Sequence, residues 1–200
     1  MTPHPALVHL RRHSHGILQL PDRIEPVRFI IDPVSGEPVI PVHADVPDVD
    51  SLTLHVPDES PLSLQLMGEP VRLDPDREAS CDRFLIYLGH PKGRNERAWI
   101  RLSIMGARFE ADLVEPALIC AANPFHPFEP AACRKANQHP GLIRQACIKA
   151  GADTPAPVVV GLDPWGADIR APLGIIRIEW PDAPLPSIQT ALAALGLPGE

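Results

Sequence analysis

Twenty-six of the 200 residues are proline. Proline fixes φ and has no N–H to donate, so it breaks helix interiors and is excluded from central strands. A chain with this many prolines folds through short elements joined by many turns. Long coiled coils and helical bundles are poor candidates. Thirteen glycines bring Pro plus Gly to about a fifth of the chain, below the level that marks disorder. Hydrophobic residues at 44% and charged residues at 22% are ordinary for a globular chain of a length that buries a real core.

The net charge of −7 argues against a nucleic-acid or anionic-membrane binder, which needs a basic face. Residues 183–199 carry no charge, but Pro184, Pro186, Pro198, Gly196 and Gly199 exclude a membrane span. Arg11 and Arg12 follow the apolar stretch 6–10, the reverse of a secretory signal. Cys81, Cys120, Cys133 and Cys147 are widely spaced with no CxxC, which predicts reduced thiols and a cytoplasmic protein.

The first half reads as strands. Residues 16–20 are short and apolar. Residues 27–32 and 37–42 flank Asp32-Pro33-Val34-Ser35-Gly36, turn chemistry that predicts a β-hairpin. Leu52, Leu54 and Val56 alternate over 51–56, as do Leu62, Leu64 and Leu66 over 62–67. Period-two alternation predicts half-buried antiparallel strands. Asp74 then offers a cap and Pro75 a first helical position, for a helix stopped by Gly89. Residues 98–105 alternate again, and Gly106 marks a bulge before a further strand over 107–114.

The stretch 116–130 holds Pro116, Pro124, Pro127 and Pro130 and reads as a stiff junction. Beyond it come a helix over 140–150, a strand over 158–162 and the turn Asp163-Pro164-Trp165-Gly166. Strands over 167–170 and 175–180 follow, then a last helix over 188–195 capped by Ser187. The expected class is α+β. Its domains are a β domain over 1–118, a Pro-rich linker over 119–130 and a small α+β domain over 131–200.

Generic catalytic motifs are absent: there is no Gly-rich phosphate loop, no GxSxG and no HExxH. Arg11 and Arg12 are candidate anion partners, because guanidinium binds carboxylate or phosphate bidentately. His13 and His15 fall on one face of a strand and are candidate cleft-wall residues, although no acidic or Cys-rich partner stands nearby for a metal. His126, flanked by Phe125 and Phe128, and His139, just before Pro140, are candidate haem ligands. The plain alternatives are a solvated turn for the arginines, strand-edge histidines, and a hydrophobic strap around His126.

The C-terminal stretch VVVGLDPWGADIRAPLGIIRIEWPDAP is similar to the small α+β domain beside a split barrel in haem-utilisation proteins. Gly161, Asp163, Gly166, Asp168 and Pro181 carry that likeness, with Asn137 and His139 in the preceding helix segment. Upstream, DREASCDRFLIYLGHPKG, RRHSHGILQL and VRFIIDPVSGEPVIP resemble the pyridoxamine 5′-phosphate oxidase-like split barrel. The resemblance implies a six-stranded antiparallel split barrel followed by the small domain, a homodimer, and haem or FMN in a cleft between protomers. It departs from flavin-binding members after Pro41, where Asp45, Asp48 and Asp50 would repel a phosphate.

Three functions compete. The first is a haem-binding and haem-degrading split-barrel protein. The second is an FMN-dependent oxidoreductase. The third is a non-catalytic relative that has lost its cofactor. Each expects a small-molecule cofactor site, or its remnant, and neither nucleic acid nor membrane as partner.

Overall fold

The computed structural model describes residues 3–44, 49–91 and 97–198. Asp45 and Asp48 lie outside the described residues. The fold is mixed α+β. It divides into two compact units, the first His4–Ala122 and the second beginning at Asn123, inside the Pro-rich stretch. Among the described residues no helix is long and apolar enough to cross a membrane.

The first unit is a curled antiparallel sheet. Its strands are β1 (His15–Gln19), β2 (Ile24–Arg28), β3 (Ile30–Ile31), β4 (Pro38–His43), β5 (Leu52–Val56), β6 (Leu64–Leu73), β7 (Arg97–Phe109) and β8 (Asp112–Val114). Hydrogen bonding orders them β2-β1-β5-β6-β7-β4-β3, with β8 folded back on β7. The alternation explains which face is buried. Leu52, Leu54 and Val56 of β5 point inward with Leu18, Leu64, Leu66, Ile100 and Leu102, all at most 2% exposed. Each such side chain contributes roughly 1.5–3 kcal/mol on burial.

The 32–36 turn forms as expected, but the strand before it breaks at Phe29. β2 pairs with β1, and β3 pairs with β4. The bulge near Gly106 is present as a register shift opposite Met67 and Gly68. The separate strand expected over 107–114 is not. β7 runs on to Phe109, turns at Glu110 with φ 56°, and returns as β8.

Two helices flank this sheet. α1 (Pro5–Arg12) has no counterpart in the sequence reading. His4 caps it, its Nδ1 accepting from the Ala6 N–H at 3.2 Å, and Ala6 and Leu10 are fully buried in the core. α2 (Ala79–Leu88) begins a turn later than Asp74 predicts. Asp74 closes the preceding turn instead, its Oδ1 accepting from Asp76 N and its carbonyl from Arg77 N and Glu78 N. α2 buries Phe84 edge-on against Trp99 of β7, ring centroids 5.1 Å apart.

The second unit contains α3 (Glu129–Asn137), α4 (Pro140–Lys149), β9 (Val158–Asp163), β10 (Gly166–Ala171), β11 (Gly174–Glu179) and α5 (Ile188–Ala194). Its sheet is ordered β11-β10-β9. Ala136, Ile143, Cys147, Val159, Leu162, Ile169 and Ala191 form its core. α3 is a second unanticipated helix, and it seals the β9 edge. The Asn137 side chain donates to Val159 O at 2.9 Å and accepts from Val159 N at 2.8 Å. Glu129 accepts from Leu162 N at 2.9 Å, and Asn123 donates to Leu162 O at 2.8 Å. Backbone groups at this edge are thereby satisfied.

Candidate functional site

The outer face of the first sheet carries a groove of about 690 Å³, built by five strands. Its floor follows from strand register. Ile17 of β1 lies opposite His55 of β5, His55 opposite Gln65 of β6, Gln65 opposite Arg108 of β7, and Arg108 opposite Leu113 of β8. The next rung runs from Gln19 through Thr53 and Met67 to Gly106. These residues alternate with the buried leucines, so they must point outward. The bulge adds Met105 to the wall, and Met105, Met67 and Leu113 are exposed.

The polar groups in the groove are few. His55 Nε2 sits 3.1 Å from Gln19 Oε1, so Nε2 is the donor in the tautomer that bond requires. His55 Nδ1 is then the lone-pair nitrogen; it is buried and has no hydrogen-bond partner among the described residues. Arg108 is the groove's cation, and Glu115 stands among its lining residues. This composition suits a ligand with an apolar body, one nitrogen-directed contact and an anionic end.

The residues predicted from sequence lie elsewhere. Arg11 is buried and donates from Nη2 to Ala121 O, a structural tie between α1 and the chain after β8. That bond engages one end of the guanidinium named from sequence as a candidate anion partner. Arg12 is exposed at the end of α1. His13 and His15 form a row with His9, with ring centroids 4.8 Å apart for His9–His13 and 5.7 Å for His13–His15. His9 Nε2 is 2.9 Å from Val56 O. His13 is pushed down to about 4 by burial, then by His9, His15 and Arg12, against a weaker opposite pull from Asp58. The six residues named from sequence do not line the groove.

His126 and His139 belong to the second unit. His126 Nδ1 is 3.9 Å from the buried Glu129 carboxylate. His139 precedes α4 and makes no side-chain capping bond. Among the described residues no three His, Cys, Asp or Glu side chains are placed to hold a metal ion. Cys81 and Cys120 are unsuited to nucleophilic work. Burial and the carboxylates of Glu78, Asp82 and Asp74 push Cys81 up to about 12. Burial and Glu37 push Cys120 up to about 11, against Arg11.

Sequence reasoning missed His55. Its outward position was legible from the alternation of Leu52, Leu54 and Val56. Its neighbours were not, because β1 and β5 meet only in the folded sheet.

No protein-family model matches the sequence, and no curated protein matches it. One solved structure, the protein Atu2129 of unknown function from Agrobacterium tumefaciens strain C58, matches with a TM-score of 0.74 and 18% identity. The match covers 94% of this chain and 90% of that one. The likeness is one of fold. A second structure reaches a TM-score of 0.43 at 15% identity over 58% of this chain and carries no argument.

Proposed function

We propose that the protein binds haem in the outer-face groove of a split barrel and works as a homodimer. The barrel reading is supported by the segment 24–31. Its first half pairs β1 and its second half pairs β4, the two ends of the strand path. On this reading the segment counts as one strand, and with β1, β5, β6, β7 and β4 it makes the six of a split barrel.

The observation that carries the ligand reading is the placement of His55, Met67, Met105 and Arg108 around one groove of about 690 Å³. Haem asks for an axial nitrogen or thioether, apolar walls and a cation for its propionates. Those residue types are present together. FMN fits less well, because a phosphate dianion asks for several donors and the groove offers one guanidinium. Bound haem would supply the redox chemistry of its iron. The residues that would hold it are His55, positioned by Gln19, with Met67, Met105 and Leu113 as apolar wall and Arg108 as the cation for its propionates.

The test is a haem titration followed by visible absorption. The reading expects a shifted Soret band at one haem per chain, lost in His55→Ala and weakened in Arg108→Ala. No shift, or a shift indifferent to His55→Ala, overturns it. Flavin absorbance retained after adding FMN would favour the oxidoreductase alternative. Loss of the Soret band on adding a reductant in air would extend binding to degradation.

A further inference from the structure

The two edges of the second sheet are treated differently. The β9 edge is closed by Asn137, Glu129 and Asn123. The β11 edge is open. Backbone pairing of residues 174–178 goes to β10 alone, and among the described residues no other element bonds to their backbone. Exposure agrees. All six residues of β11 are half-buried, without the alternation that a covered strand shows. The Arg177 side chain is only 4% exposed, so the exposure of that residue lies in its backbone.

Open edges are usually blunted by proline, lysine or a bulge. β11 reads Gly-Ile-Ile-Arg-Ile-Glu and has none of these. Of its two charged residues, Arg177 is turned from solvent and spent on Asp163 and Asp168, and Glu179 stands at the last position of the strand. At the preceding hairpin tip Leu173 is fully exposed, which adds apolar surface beside the bare ladder.

We propose that β11 pairs antiparallel with β11 of a second copy, joining two three-stranded sheets into one of six. The strand is its own complement. Pairing centred on Arg177 sets Ile176 opposite Ile178 of the second copy, and Ile178 opposite its Ile176. Both isoleucines already face the core side of their own sheet, so the joined sheets share one apolar face. The two Arg177 groups meet at the centre, each carrying two carboxylates that offset the like charge. This inference is independent of the haem reading.

The test is amide exchange on the wild-type chain at high and low protein concentration, with light scattering for mass. The proposal expects a dimer in which alternate amides of residues 174–179 exchange about tenfold more slowly than in the dilute monomer. Ile176→Lys should be monomeric with a native circular dichroism spectrum. A monomer at high concentration overturns the proposal. So does a dimer with no added protection over 174–179, as a dimer made through the first unit would show. The exchange measurement needs no variant, so a misfolded Ile176→Lys would leave the test intact.

Discussion

Arg177 donates from Nη2 to both carboxylate oxygens of Asp163, at 2.7 and 2.9 Å. Its Nη1 donates to Asp168 Oδ1 at 2.8 Å. Asp163 Oδ1 also accepts from Trp165 N and Gly166 N, so one carboxylate both builds the β9–β10 turn and anchors β11. Burial works against the Arg177 charge, and the two carboxylates overcome it, holding the guanidinium above its ordinary range. The network therefore fixes the hairpin. Removing the cation would leave two carboxylates without its counter-charge. Arg177→Ala should destabilise the protein by roughly 3–5 kcal/mol. Denaturant unfolding measures it; a loss below about 1 kcal/mol, the range of an exposed pair, would contradict this account.

Asn137 satisfies the N–H and the C=O of one residue, Val159, whose exposure is 1%. Asn137→Ala leaves both groups without their partner, at a cost of about 1–3 kcal/mol. Asn137→Asp keeps the acceptor and loses the donor, so it should fall between wild type and alanine near neutral pH. Hydrogen exchange at the Val159 amide should accelerate in Asn137→Ala. Unchanged exchange there would show that α3 does not seal this edge.

Much of the sheet was legible. Leu52, Leu54 and Val56 announce β5 because a half-buried strand repeats every two residues. Ser187 announces α5, and its hydroxyl does accept from Thr190 N at 3.2 Å. α1 was hidden because its cap is His4, outside the usual Ser, Thr, Asp and Asn signals. α3 was hidden because Pro130 sits in its first turn, within a run of prolines that otherwise reads as irregular chain. The groove was hidden for a topological reason. Its wall joins β1 to β5, a pairing that skips three strands along the chain, and β6 to β7, which α2 separates in sequence. His13 and His15 drew attention instead; their rings pack against each other, and His13 packs against His9.

Gly36 ends the 32–36 turn at φ 78°, a left-handed conformation that side chains resist. A Cβ there would lie 2.6 Å from the Cys120 carbonyl carbon and 2.7 Å from Ala121 N. Those atoms are backbone and cannot rotate away, and Arg11 already ties Ala121 in place. Gly36→Ala should lower stability by about 2 kcal/mol or more, from strain plus displacement of 120–121. A thermal midpoint within a degree or so of wild type would show that the segment is free to move.

His13 gives the protein an acid-sensitive joint. Folded, it is pushed down to about 4 by burial and by the neighbouring His9, His15 and Arg12; its ordinary value is 6.5. Above pH 6.5 the ring is neutral in both states and linkage contributes nothing. Below 6.5 the unfolded chain takes up the proton that the folded chain refuses, so unfolding gains as pH falls, until about pH 4. The ring is only half buried and solvent screens its neighbours, which limits the effect to about 1–2 kcal/mol. His13→Gln keeps the size and removes the titration. Urea unfolding at pH 7.5 and 4.5 should show a smaller loss in His13→Gln than in wild type, by that amount. Equal losses in the two proteins would place the acid sensitivity in other groups, because α1 and β1 would then hold together whether or not this ring is charged.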